Sequence, residues 1–167
     1  MPGPEKVLTV HDYWDGPKSG VANFNGRPHA YECVFDDRLD EWSWFYLLNP
    51  MDQGTLQLVM ERWQIWLRWV EAHQTGQTTI GTHPALPADR PRWEELTRML
   101  NSKLEVPASS DLAANGEFER SGRPGASEPW EVAWTTIDRV SLGHVTKVGS
   151  VLRSPDIDPD LYQRRYD

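Results

Sequence analysis

The chain has 167 residues, a formal net charge of −8, nine tryptophans and one cysteine. That length suits a single domain able to bury a core without metal or disulfide staples, and the lone Cys33 excludes an intrachain disulfide. The acidity speaks against general binding of nucleic-acid phosphates or anionic lipid, and Glu61, Arg62, Gln64 and Arg68 interrupt the most apolar stretch, so no membrane span is expected.

Residues 6–13 are rich in β-branched and aromatic types and stop at Asp15-Gly16-Pro17, which reads as a first strand and its turn. Asn25-Gly26 is the dipeptide best suited to the two positive φ angles of a type I′ turn, so residues 21–24 and 27–35 form a hairpin. A two-residue turn sets the register: Phe24 faces Arg27, Ala22 faces His29 and Gly20 faces Tyr31. One face then carries Ala22, Phe24, His29, Tyr31, Cys33 and Phe35 and is expected to be buried. Asp36-Asp37-Arg38 turns into a fourth strand over residues 41–48, on which Trp42, Trp44 and Tyr46 share one face and Ser43, Phe45 and Leu47 the other; both faces are expected to be covered.

The period then changes. Leu56, Val59, Met60, Trp63, Trp66, Leu67 and Val70 recur on one helical face, with Asp52 as N-cap and Gly76 as stop. Leu58, Ile65 and Trp69 form a second apolar stripe, which needs a second cover: a helix over residues 91–104, or a symmetric copy in a homodimer. Residues 112–119 hold a weak strand signal inside a loose Gly/Pro-containing region, residues 130–137 alternate as a strand, and residues 143–152 suggest another. The expected fold is α+β: an antiparallel sheet of about five strands, an N-terminal meander plus a C-terminal strand, packed against one long and one shorter helix. A single domain over 1–153 and an acidic tail over 154–167, with Tyr162, complete the expected organisation.

The densest polar cluster is His11, Asp12, Asp15, Lys18, His29 and Glu32. His and carboxylate side chains suit proton transfer near neutral pH, so a pocket of His11, Asp12, Trp14, Asp15, His29, Tyr31 and Glu32 is the basis for an enzyme or small-ligand site. A hydrogen-bonded core His29 and turn-organising Asp12 and Asp15 are the commoner outcomes. His29 and Cys33 lie four apart, about 13 Å on a strand, too far to share a zinc ion. No metal and no cofactor is expected. The loop from Trp14 to Gly20 lacks the Gly-Lys-Ser/Thr order of a phosphate cradle, and Cys33 on an apolar strand face reads as packing rather than nucleophile.

Acidity, excess tryptophan and a doubly apolar helix make the leading expectation a non-catalytic cytoplasmic protein-binding module, an adaptor or acidic neutralising partner for a protein with a basic surface. Its contact residues would be Trp14, Trp69, Asp36, Asp37, Asp40, Glu41 and Tyr162. The alternative is a small-ligand-binding protein or hydrolase-like enzyme using the N-terminal polar cluster. An enzyme needs convergent ionisable groups in a concave site, whereas a binding module needs complementary surface.

Overall fold

In the computed structural model, residues 3–120 and 130–138 are described. Six strands close in chain order into an antiparallel barrel: β1 (Glu5–Tyr13), β2 (Pro17–Phe24), β3 (Arg27–Asp36), β4 (Glu41–Pro50), β5 (Leu112–Arg120) and β6 (Trp130–Ile137). Two helices, α1 (Gln53–Gln74) and α2 (Arg90–Leu100), are inserted between β4 and β5. Mixed α and β structure, the meander and both helices are thus present, but the sheet has six strands and is closed. The weak signal at residues 112–119 is β5, which bridges β4 and β6; β6 then meets β1 through Glu5↔Val132 and Lys6↔Glu131. Closure pairs the edges that an open sheet would leave bare, a long-range gain that local periodicity does not express. The expected strand over 143–152 and the tail over 154–167 lie outside the described residues.

The hairpin has the register its turn demands, with Phe24↔Arg27, Ala22↔His29 and Gly20↔Tyr31 paired. Asn25 and Gly26 both have positive φ, 52° and 73°. The carboxylate of Glu5 accepts from the Asn25 and Gly26 N–H groups, tying the start of β1 to this turn. Alternation sends the Ala22, Tyr31 and Cys33 face into the barrel, where Tyr31, Tyr46, Phe118 and Trp134 form a connected aromatic core with ring centroids 5.2–6.2 Å apart. Their polar tips are satisfied on the wall: Tyr31 donates to Thr9 O (3.0 Å), Tyr46 to Pro17 O (2.8 Å) and the Trp134 indole to Asn23 O (2.8 Å). Two glycines leave room for these rings. A Cβ on Gly20 would collide with the Thr9 carbonyl of β1 and lie 2.8 Å from the Tyr31 hydroxyl, and one on Gly116 would lie 2.6 Å from the Trp134 ring.

Outside the barrel, α1 starts where Asp52 accepts from the Thr55 N–H (2.8 Å) and Thr55 hydroxyl (2.9 Å). Its Val59 packs with Val21 of β2 and Leu100 of α2. Arg92 of α2 clamps Glu61 of α1 with two bonds of 2.6 and 2.8 Å, and Arg68 clamps Asp89 with two of 3.0 and 3.1 Å. The second stripe of α1 is covered within the chain. Trp69 is fully buried, stacks on His73 at 5.0 Å, meets His83 edge-on at 4.7 Å and donates to Thr82 Oγ1 at 2.9 Å. The connector over residues 75–89 supplies this cover, so Trp69 is a core residue and not the surface contact its stripe suggested. A separate cluster of Ala30, Val34, Leu47 and Ala113 is closed by Val106, in the chain following α2.

Candidate ligand pocket at the barrel mouth

The β1–β2 and β3–β4 turns meet at the end of the barrel opposite the Asn25-Gly26 hairpin. In the first, Asp15 and Gly16 take positive φ (50° and 121°) and Trp14 N donates to Gly16 O at 3.0 Å. In the second, the Asp36 carboxylate accepts from Arg38 N (3.0 Å) and Leu39 N (3.4 Å), and Asp40 takes a positive φ of 54°. Between them lies a cavity of about 620 Å³. Trp14, Phe35, Trp42 and Trp44 wall it, Tyr46, Gly116 and Phe118 belong to its barrel side, and Asp15, Lys18, Asp40, Glu41 and Ser43 add polar groups. Trp14 and Trp44 are 70% and 77% exposed, unusual values for indoles. Phe35 meets Trp42 edge-on at 5.3 Å, and Lys18 Nζ lies 5.7 Å from the Trp42 ring centroid.

The hydroxyls at this end are already engaged, since Ser43 donates to Val34 O (2.6 Å) and Tyr46 to Pro17 O. Burial raises the Tyr46 phenol above its usual range, keeping it protonated. Burial also pushes the Cys33 thiol up to about 11, and that thiol donates to Ser43 O at 3.2 Å. Neither group is an ionised nucleophile near neutral pH.

Of the residues singled out from sequence, Trp14, Asp15, Asp40 and Glu41 line this cavity. Asp36 is buried as the cap of its turn, beside the exposed Asp37. His11 packs against Trp63 of α1 at 6.1 Å; burial, and then the Arg62 cation, lower its pKa to about 3. Asp12 pairs with Ser19, and the buried Glu32 sits opposite Ser19 and Leu47. His29 is at the other end of the barrel, its Nδ1 2.9 Å from Arg27 O and its ring 5.4 Å from Phe24. Tyr31 is in the aromatic core. The structure therefore gives the two imidazoles different neighbours, and of the proposed acid–base group only Asp15 lines the mouth. Tyr162 lies outside the described residues. Among the described residues no three His, Cys, Asp or Glu side chains converge as a metal site requires.

Sequence reasoning missed the roles of Trp42, Trp44, Phe35, Tyr46, Gly116 and Phe118. The Trp42-x-Trp44-x-Tyr46 alternation is the available signal; it implies a strand covered on both faces, and the exposure of Trp44 corrects that. Comparison with known proteins adds nothing to this geometry: no protein-family model matches the chain, and no match is found among curated proteins or solved structures.

Proposed function

We propose that the protein is a small-ligand-binding barrel whose site is the mouth cavity. The observation that carries this reading is the cavity itself, about 620 Å³, within the range of roughly 300–1,000 Å³ common for small-molecule sites. Barrel mouths are a preferred place for such sites, because closed strands hold the walls rigid while turns supply variable side chains. Aromatic faces with a few charged groups at the rim are the usual composition of a pocket that binds by shape and orients by charge.

A protein-binding module remains a second reading, supported by Leu39, exposed in the β3–β4 turn at the same end of the barrel as Trp14, and by the carboxylates of Asp37, Asp40 and Glu41 next to it in sequence. It would use the same surface, so the two readings compete. No helix among the described residues is long and apolar enough to cross a membrane. A cytoplasmic setting belongs to the proposal, because the unpaired Cys33 needs no oxidising compartment.

The test is a fragment mixture screened by NMR on protein with 15N-labelled indoles. The expected result is saturable perturbation of the Trp14, Trp42 and Trp44 indole signals, lost in a Trp44→Ala variant. Fragments that perturb only other regions would remove the mouth as the site. A folded basic protein that shifts these signals where no fragment does would favour the module.

A further inference from the structure

We propose that the mouth cavity recognises an alkylammonium head group on a free small molecule, an inference that rests on the ligand-binding reading above. The walls come first. Trp14, Trp42 and Trp44 bring three indoles to one cavity, and the face of an indole is the best aromatic surface for a cation. Charge points the same way. Asp15, Asp40 and Glu41 set three carboxylates against the single ammonium of Lys18, so an anion entering the cavity meets net repulsion and a cation net attraction. The two hydroxyls of the lining are engaged elsewhere, Ser43 donating to Val34 O and Tyr46 to Pro17 O, which leaves the indole N–H groups and the Lys18 ammonium as its side-chain donors.

Lys18 shows how the site handles a cation. Its ammonium lies 5.7 Å from the Trp42 ring centroid, the distance of a cation–π contact, so one indole is occupied from within the chain. A ligand ammonium takes the more exposed indoles, Trp14 and Trp44, and feels Lys18 as a like-charged neighbour. This makes Lys18 a discriminating position. Its removal strengthens binding of a cation and weakens binding of an anion.

The experiment titrates choline against 3,3-dimethyl-1-butanol, its neutral isostere, and against benzoate, following the indole signals of Trp14, Trp42 and Trp44. Choline should bind about tenfold tighter than the isostere. Lys18→Met should tighten choline binding about threefold, and Asp40→Asn combined with Glu41→Gln should weaken it about fivefold, both effects shrinking as salt is added. Equal binding of choline and the isostere overturns the cation proposal and leaves the ligand-binding reading intact. Benzoate binding that depends on Lys18 also overturns it. A trimethyllysine peptide bound far more tightly than choline overturns the free small molecule as source while keeping the ammonium chemistry. Silence of these indoles toward all three probes and toward the fragment mixture overturns both this inference and the reading beneath it. The three positions changed, Lys18, Asp40 and Glu41, all line the cavity, and circular dichroism of each variant checks that the fold is kept.

Discussion

His11 and Arg62 show how one pair of side chains links burial to pH. The imidazole is pushed down to about 3, chiefly because burial disfavours its charged form and secondly because the Arg62 cation repels a proton. The unfolded chain takes up that proton near pH 6.5 and the folded chain does not, so stability is full above 6.5 and declines as pH falls toward 3. The slope from this one group is at most about 1.4 kcal/mol per pH unit. Urea denaturation between pH 7 and pH 4.5 should show a flatter decline for His11→Asn than for the native chain; identical slopes would remove His11 as the source. Arg62 is itself 3% exposed, its Nη2 lacks a hydrogen-bond partner, and its guanidinium carbon lies 5.3 Å from the Trp93 ring. Desolvation lowers it to about 10. Replacing a buried charge by an apolar side chain of similar length is often neutral or stabilising, so Arg62→Met is expected to keep or raise stability, and to move the His11 titration upward. A loss of about 3 kcal/mol or more in that variant would mean that the cation has a stabilising role this geometry does not explain.

At the scale of elements, the second stripe of α1 is where local pattern and tertiary structure part. Trp69 is buried against His73, His83 and Thr82, so Trp69→Ala should cost about 3–5 kcal/mol, and Thr82→Val about 1 kcal/mol through the lost indole bond. Solution mass should be unchanged in both; a change of mass would restore the idea of a symmetric copy as cover. The stripe itself was legible, because period 3.6 is a property of one helix. Its cover was not, because the connector over residues 75–89 has no period and reaches Trp69 only through the fold. The hairpin was legible down to its register, since Asn25-Gly26 fixes both φ signs and pairing in a few residues. Closure was not, since Glu5 and Val132 are far apart in the chain and neither carries a local mark of the other. The candidate site was half legible: Trp14, Asp15, Asp40 and Glu41 stand in or next to turns whose chemistry is visible, while Trp44 of β4 and Gly116 of β5 acquire meaning only once the closed barrel brings their strands to one cavity.

For the molecule as a whole, the barrel interior and its mouth use the same residue types under opposite constraints. Inside, Gly116 exists to leave space: an added methyl would lie 2.6 Å from Trp134 and 3.1 Å from Phe118 and Tyr46, so Gly116→Ala is expected to cost about 1–3 kcal/mol by crowding these rings. Trp134 joins that cluster and bonds to Asn23 O, tying β6 to β2 across the interior, and Trp134→Ala should cost about 3 kcal/mol or more. At the mouth the order reverses. Trp44 is largely in water, so its loss removes little buried area, and Trp44→Ala should change stability by no more than about 0.5 kcal/mol. On the ligand-binding proposal, the same variant should abolish the fragment-induced shifts of its neighbours Trp14 and Trp42. Denaturation and titration of the two tryptophan variants side by side separate the roles. If Trp44→Ala proved as destabilising as Trp134→Ala, the mouth would be part of the barrel's packing, and its tryptophans would need no ligand to explain them.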